Sequence, residues 1–507
     1  MKKTDLACYR IGFAFILLVS LCMVAVYLLK PVEDPDFFWH VKTGEWIWHH
    51  KCLPQIDPFT LSPPASDNIS SRFILTSYWL AQLIIFACYS LGGWSGIILL
   101  RLALIVVLTA LFASWGRLRD FSVACVLILL AIQLLEFYTL ERPQIFSFIC
   151  FTALLILLDR IVRQQRREPR QMALLCLLML VWSNLHGGFL VGQVTIALFM
   201  IMEGLKFFHP SLQPVSWRKY KKAILIASAA LAVSVINPNP VNSFKILAGL
   251  GSANGSLSGM IAEYSSAYTM LREAHYTIIL NWLFILMTAF TAIMSGRRIN
   301  ITWLAILAST GYMGCVHIRF MPFFLVAATL YLIRHVDMSG IGGTVLRGIL
   351  ALATLAAACF FPINAAYHGK AILRDVGISR RLPIAAADFI VENNVRGPIF
   401  NRFEWGGYLL WRLGPDKKIF SDPRQLDPRR YWEVMNSYTD PNRKALFDRY
   451  NIQTAILPLR YSTGKTDPIV DSLQDDTEWT LAFKQDNTCV YVRSKKPVVS
   501  TSPIKVW

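Results

Sequence analysis

The run EDPDFFWHVKTGEWIWHH, residues 33–50, crowds Glu33, Asp34 and Asp36 together and follows them with His40, Lys42, His49 and His50. It begins where the first long apolar stretch ends, so acid, imidazole and amine meet at a membrane surface. A neutral hydroxyl is a weak nucleophile. Transfer of a group from a phosphate-activated lipid to a hydroxyl therefore needs a carboxylate that takes the proton, or one that holds a divalent metal such as Mg or Mn that does so indirectly. It also needs cationic donors beside the departing phosphate, whose negative charge grows in the transition state. The simpler use of the same residues is structural: Asp34 and Asp36 cap a helix, and the Trp and His side chains form an aromatic belt.

Further candidates lie far away in sequence. Arg142 in ERPQ and Arg319 in VHIRF sit at the ends of apolar runs, where arginine either binds phosphate or snorkels to headgroups. His317 is a second phosphate donor. In WSNLHGG, Asn184 and His186 stand between two apolar runs beside Gly187 and Gly188, which permit a tight turn and close backbone approach. Near the end of the chain, NRFEWGGYLLWRL and KKIFSDPRQ bring aromatics, paired glycines, Asp422 and Arg424 together, a set that suits sugars and equally suits an ordinary α/β core.

Apolar segments must position these residues. With 55% hydrophobic and only 16% charged residues among 507, the composition excludes an ordinary soluble protein. Runs long enough to span a bilayer, or nearly so, occur at 9–30, 95–115, 121–138, 144–163, 172–186, 189–208, 223–237, 276–295, 301–316, 320–335 and 346–365, about eleven in all. The first is too long for a signal-peptide core and lacks a small-residue cleavage site, so it reads as an uncleaved span. The net charge of +18 collects in short clusters between the runs: Lys2, Lys3 and Arg10, then Arg160 to Arg170, Arg218 to Lys222, and Arg297 with Arg298. That is a topological bias and argues against a nucleic-acid surface. The ten cysteines form no CxxC pair and read as small core residues.

A further apolar segment, 74–92, would invert everything after it if it crossed, and would turn two basic clusters outward. It therefore lies along the membrane or re-enters it. The N-terminus is then cytoplasmic. The first loop, 31–94, the polar motifs above and the tail from about 367 all face the outside of the plasma (inner) membrane. The tail alternates helix signals, PIAAADFIVENN and PNRKALFDRYN, with β-rich runs, GPIF, KKIF, TAILPL, and WTLAFK and TCVYVR joined by the turn QDN. The expected fold is a polytopic α-helical membrane domain, 1–366, followed by an external α/β domain, 367–507.

The set DPDFFWHVKTG, PQIDPFT, SYWLAQ, ERPQ, SNLHGG, INPNP, HIRFMPFF, NRFEWGGYLLW and IFSDPR runs through most of the chain. It resembles a bacterial family of uncharacterised multi-pass proteins of the GT-C superfamily of membrane glycosyltransferases, distantly like oligosaccharyltransferase catalytic subunits and protein O-mannosyltransferases. In the former, the first-loop aspartate is followed three residues on by an aromatic, then by Asn and, two later, Arg. Asp36, Trp39, His40 and Lys42 occupy those positions, so the resemblance makes Asp36 the first choice for the catalytic carboxylate and Asp34 the second, with His40 and Lys42 beside substrate. The departures at His40 and Lys42 put metal binding by Asp36 in question. No WWD-type run stands in the tail, which argues against a true oligosaccharyltransferase. The resemblance implies an inverting transfer from a polyprenyl-phosphate-linked sugar to an acceptor it does not identify.

Two other classes compete. A transporter or flippase of a lipid-linked glycan would place charge deep within the spans, where Arg101 and Glu203 are the few candidates. A non-catalytic envelope-assembly scaffold would keep the shape without the chemistry. The topology has its own test. A cysteine placed at Gln165 in a cysteine-free background should stay unreactive toward an impermeant thiol reagent in intact cells and react after permeabilisation; labelling from outside overturns the orientation.

Overall fold

The computed structural model describes Leu18 and residues 31–32, 34–61, 63, 68–115, 121–138, 142–163, 168–209, 212, 214–249, 265–272, 276–295, 300–335, 377–379, 381–424, 426–438, 440–461 and 464–494. Apart from Leu18, the expected spans 9–30 and 346–365 lie outside them. The helices used below are α1 (Pro35–His50), α2 (Trp79–Ala113), α3 (Gln144–Arg163), α4 (Glu168–Leu185), α5 (Phe189–Leu205), α6 (Trp217–Val233), α7 (Ile301–Val316), α8 (Met321–His335), α9 (Gly406–Leu413) and α10 (Pro428–Asn436). The chain divides into two compact units, residues 1–31 with 90–376, and 32–89 with 377–507.

The first unit is helical. Four helical stretches among the described residues are long and apolar enough to cross a membrane: Ile69–Ala113, which begins in the second unit, Gln144–Arg163, Phe189–Phe208 and Ile318–His335. Ala124–Leu135, Asn281–Ile293 and Ile301–Val316 are apolar but shorter. The first of the four stretches is interrupted at Gly93, whose φ of 55° and ψ of −140° lie outside the helical region. A residue with a Cβ is strained there, which is why the break falls on glycine. The expected membrane-surface segment 74–92 ends at that break.

Helix α8 is the centre of this unit: every residue from Met321 to Ile333 is buried, packed against α3 and α7. Its polar contacts fix how its neighbours run. Near their C-terminal ends, α3 and α8 are tied by Asp159, which accepts from Arg334 at 2.9 Å and from Arg163 at 2.8 Å. At 1.5 Å rise per residue, Ser147 near the start of α3 is about 18 Å from that pair. The two ends of these helices therefore carry different chemistry, the Asp159 ion pairs at one and the Ser147 hydroxyl at the other. Glu203, one of the in-span charges considered for transport, is buried against Lys206 and accepts from the Thr302 hydroxyl at 2.7 Å.

The second unit is α/β. Strands β1 (Ile399–Asn401), β2 (Thr454–Pro458), β3 (Trp479–Gln485) and β4 (Thr488–Arg493) form one sheet in the order β1-β2-β4-β3. The β1–β2 pair is parallel and the other two are antiparallel, with Thr454 opposite both Ile399 and Val492. The QDN turn closes the β3–β4 hairpin with Asp486 at a φ of 51°, a left-handed position that Asp tolerates. Phe400, Phe420, Phe447, Trp479 and Tyr491 build the core beneath the sheet. The KKIF run is no strand of its own: Ile419 makes single bridges to Thr60 and Ile399.

The segment 32–89 is an integral part of this unit. Val32 donates to the Gly377 carbonyl at 2.8 Å and accepts from Ser379 at 2.9 Å, Leu61 donates to the Ile419 carbonyl at 2.9 Å, and the Ser71 hydroxyl donates to the Leu426 carbonyl at 2.8 Å. Beneath these lies a buried ion cluster. Arg424 donates to both oxygens of Asp57, at 2.8 and 2.9 Å, and to both of Asp422, at 2.8 and 3.0 Å. The side chains of Arg424 and Asp57 are 0% exposed. Burial works against the guanidinium charge, and Asp422 and Asp57 outweigh it, so the arginine is held even more firmly protonated than usual. Asp57 also accepts from the Thr60 amide and hydroxyl, at 3.0 and 2.5 Å.

Removing the arginine alone leaves two buried carboxylates facing one another. Arg424→Met should cost about 3–5 kcal/mol and be seen as a fall in the apparent unfolding temperature of the detergent-solubilised protein. Adding Asp57→Asn and Asp422→Asn to that variant removes the stranded charges and should recover much of the loss.

Candidate functional site

In the second unit, α1 begins at a cap. Asp34 is extended, with φ −72° and ψ 113°, and its carboxylate accepts from the Asp36 amide at 3.0 Å, while Pro35 fills the first helical position where no amide hydrogen is needed. The structural use foreseen for the acidic pair thus falls to Asp34. Asp36 stands in the first turn, half-buried, where the exposed amides of the helix start favour negative charge.

The other first-loop candidates are engaged in packing. His40 is buried, with Nδ1 3.3 Å from the Gln82 amide nitrogen, its ring against Trp39 and edge-on to Tyr78. Lys42 pairs with Glu45 at 2.8 Å. His50 stacks on Trp46 with its Nδ1 2.8 Å from that residue's carbonyl oxygen, and His49 lies near Phe86. α1 is pressed so closely on the start of α2 that a Cβ on Gly44 would stand 2.2 Å from the Gln82 carbonyl oxygen.

The paired glycines of NRFEWGG explain how Asp36 is placed. A Cβ on Gly406 would stand 2.3 Å from the Ser421 carbonyl oxygen, and one on Gly407 would stand 2.0 Å from that of Pro35. The start of α9 is thus clamped between the SDPR turn and the residues bearing Asp34 and Asp36. Neither glycine is needed for a left-handed backbone; both are needed for contact. Sequence reasoning singled out Asp422 and Arg424 but gave Asp57 no role, although PQIDPFT was noticed. Its partner is 367 residues away, a distance no local pattern reports.

In the first unit, the SNLHGG turn joins α4 to α5. Trp182 donates its indole N–H to the Ser147 oxygen at 2.8 Å, and that hydroxyl lies 2.6 Å from His186 Nδ1. The Gly188 amide also donates to Nδ1, at 2.9 Å. Because the Ser147 oxygen is already an acceptor for Trp182, its proton is directed to the imidazole. Nδ1 takes two donors and carries no proton, so His186 is a neutral ring with its hydrogen on Nε2. Gly188 has an ordinary φ of −61°. It is glycine because a Cβ would meet Ser147 Oγ at 2.5 Å and His186 Nδ1 at 2.8 Å, the close approach being one of the two uses its sequence context allowed.

Arg319, in the short 3-10 turn Ile318–Phe320 before α8, is close enough for its charge to act on the His186 ring. The fold thus gathers Ser147, His186 and Arg319 at one end of the unit, the end opposite Asp159 and Arg334. Arg142 is half-buried just before α3 starts, and His317 closes α7 with its amide on the Met313 carbonyl at 2.9 Å. The Asn184 amide nitrogen spans from the Leu180 carbonyl at 2.9 Å to the Ile236 carbonyl at 2.8 Å, tying the turn to the INPNP segment. Asn237 then folds that segment into an Asx turn, accepting from the Asn239 amide at 2.8 Å.

No known family and no curated protein matches the sequence. Solved structures do match its fold. Archaeal oligosaccharyltransferase AglB from Archaeoglobus fulgidus, in complex with an inhibitory peptide and a dolichol-phosphate, superposes with a TM-score of 0.56 at 10% identity over 97% of this chain and 75% of that one. An Archaeoglobus fulgidus oligosaccharyltransferase tethered with an acceptor peptide containing the NVT sequon gives 0.56 at 12% identity, over 88% and 69%. ArnT from Cupriavidus metallidurans in the apo state gives 0.52 at 12%, over 96% and 98%. At such identities the likeness is one of fold.

The glycine contacts make a prediction that is independent of activity. Gly407→Ala forces a methyl into the Pro35 carbonyl, a backbone group that cannot rotate away, and should destabilise the second unit by about 1–3 kcal/mol or more. Hydrogen exchange at residues 34–38 should quicken. Gly92→Ala, with nothing within 4 Å of the added Cβ, is the matched control and should leave exchange there unchanged.

Proposed function

We propose that this chain, which has the GT-C membrane-enzyme fold, is an inverting glycosyltransferase moving a sugar from a polyprenyl-phosphate donor to an acceptor hydroxyl at the outer face of the membrane. The observation that carries the reading is the shared fold, over nearly the whole chain, with a structure that holds a dolichol-phosphate. The residues support it. Asp36 is the proton acceptor, because Asp34 is committed to the cap. Arg319, with the neutral His186 held beside it, is the first choice for the departing phosphate, and Arg142 and His317 are the further phosphate donors.

The step balances as follows. The acceptor hydroxyl gives its proton to the Asp36 carboxylate while its oxygen forms a bond to the anomeric carbon. The bond from that carbon to the phosphate oxygen breaks, and the electron pair leaves with the lipid phosphate. Attack from the face opposite the phosphate inverts the anomeric centre. A guanidinium placed at the leaving oxygen stabilises charge that exists only as the bond breaks, which is the kind of interaction that raises turnover.

The step as written is not routed through a divalent cation, Mg or Mn. Such ions are held by several oxygen ligands, and among the described residues no three His, Cys, Asp or Glu side chains gather. His40 and Lys42, which stand at the positions of the oligosaccharyltransferase motif, are packed on Trp39 and paired with Glu45. They shape α1, and Asp36 is the member of that set proposed to meet substrate. Grouping of 32–89 with the tail supports an external first loop and a 74–92 segment that does not cross.

The test uses purified protein with radiolabelled polyprenyl-phosphate sugars. Asp36→Asn keeps shape and removes the charge and most of the basicity, so turnover should fall by about 10²–10⁴-fold while donor binding persists. Arg319→Lys keeps the charge but loses the planar fork suited to phosphate oxygens, and donor binding should weaken. If Asp36→Asn and Asp34→Asn both turn over at the unmodified rate, the first-loop mechanism is wrong.

A further inference from the structure

Within the first unit, the apolar stretch Phe189–Phe208 ends in a 3-10 turn, Lys206–Phe208, and the next helix, α6, starts at Trp217. Rings lock the two ends together. Phe207 stands edge-on to Trp217 and to Tyr220, with centroids 5.3 and 5.2 Å away, and Trp217 lies 5.4 Å from Tyr220. Tyr220 in turn crosses α5 where Gly204 leaves room: a Cβ there would stand 2.6 Å from the phenol oxygen. The junction is a built surface, yet its outer side is uncovered, with Phe208 84% and Trp217 56% exposed. At 1.5 Å rise per residue over the 17 residues of α5, it lies about 25 Å along the helix from the SNLHGG turn, at the other end of a stretch long enough to cross a membrane.

Positive charge is concentrated beside these rings. Arg218, Lys219, Lys221 and Lys222 all fall in the opening run WRKYKK of α6, whose first turn holds no acidic residue. They do not serve the helix, because cations at a helix start oppose its dipole. Nor are they spent on acids: among the described residues no carboxylate pairs with Arg218, Lys219 or Lys221. Glu203, in the last turn of α5, is taken by Lys206 and the Thr302 hydroxyl. Arg163 and Arg334, by contrast, share Asp159. Lys221 lies over the exposed Trp217 ring, its nitrogen 5.5 Å from the centroid, so cation and ring face outward together.

What covers such a surface must be apolar on one side and anionic at its edge. A soluble anion would neutralise the cations and leave the rings in water. A phospholipid layer does both: its glycerol and upper acyl region takes the rings, and its phosphates take the cations. A zwitterionic headgroup also carries phosphate, but its own cation is repelled by the same side chains, so the surface discriminates by net charge. A topological bias needs only the number of basic residues in a loop; a fixed ring set with unspent cations on it is more than that use requires.

We infer that the α5–α6 junction is a docking site for anionic phospholipid headgroups in the leaflet on that side, with Arg218, Lys219 and Lys221 on the phosphates and Phe208 and Trp217 in the interface. The assignment is independent of the glycosyl-transfer reading.

The experiment is native mass spectrometry of the full-length, detergent-solubilised protein titrated with dioleoyl phosphatidylglycerol and, separately, with dioleoyl phosphatidylcholine. The first phosphatidylglycerol should bind roughly tenfold or more tighter than phosphatidylcholine. The triple variant Arg218→Gln, Lys219→Gln, Lys221→Gln should lose that preference, whereas Lys2→Gln, Lys3→Gln, Arg10→Gln, which removes as many charges from another basic cluster, should keep it. Trp217→Ala should weaken binding of both lipids, and inorganic phosphate in excess should displace neither. Equal affinity for the two lipids, an equal loss of preference in both triple variants, binding indifferent to Trp217→Ala, or displacement by inorganic phosphate overturns the assignment. Should the first triple variant fail to stay monodisperse, Lys221→Gln alone decides: phosphatidylglycerol binding should weaken about twofold or more with phosphatidylcholine binding unchanged, and indifference to that substitution overturns the site.

Discussion

The bidentate grip of Arg424 on Asp57, with Asp422 on its other edge, is the constraint on which the second unit depends. Two carboxylates and one guanidinium amount to a net negative charge taken out of water, and such a cluster is not stabilising by default: well-packed apolar residues of the same volume often do as well or better. Its value lies in what it specifies. Each carboxylate is saturated by donors whose directions are set by the backbone, the Thr60 amide for Asp57 and the Arg424 amide for Asp422. Only one register of the 57–61 segment against the 419–424 segment satisfies all of them. The single bridge from Thr60 to Ile419 is too short to choose that register unaided.

From that register the rest of the site follows by contact. With the SDPR turn fixed, Gly406 can sit on Ser421 only because it lacks a side chain, and Gly407 then reaches Pro35. The start of α1 is placed by that touch and closed by the Asp34 cap. Asp36 acquires its position from elements more than three hundred residues downstream, although it reads in sequence as part of a simple loop at the end of a membrane span. The first loop is therefore a piece of the tail's fold interrupted in sequence by the helices of the other unit, and the start of α1, which bears Asp34 and Asp36, is pressed by Gly407 of the α/β unit.

What could be read from the sequence was whatever is written locally. Hydropathy marked the apolar helices, and the alternation in WTLAFK and TCVYVR around QDN marked the hairpin, because side-chain period and turn chemistry are short-range properties. The ion cluster could not be read that way, since nothing near Asp57 announces an arginine 367 residues later. Gly188 read as allowing a tight turn or a close approach, and the structure shows the close approach; Gly407 likewise has ordinary backbone geometry and is small because the Pro35 carbonyl presses on it. The four long apolar stretches among the described residues fit the expected membrane architecture, while the count of about eleven rests on hydropathy.

The polar end of the first unit shows how a neutral residue can prepare a charged one. Trp182 can only donate, so the Ser147 hydroxyl must accept from it and turn its own proton to His186. That fixes the tautomer through a chain of two hydrogen bonds without any titratable partner. A ring so held cannot become a second cation beside Arg319, because both donors on Nδ1 would have to be lost first. The arrangement adds no positive charge of its own beside Arg319 and leaves the ring's remaining hydrogen on Nε2. Phosphate bound to one guanidinium and one neutral donor is held less tightly than by two cations. On the glycosyl-transfer reading proposed above, a phosphate gripped as a bond breaks and then released with its lipid would be better served by that weaker ground-state grip.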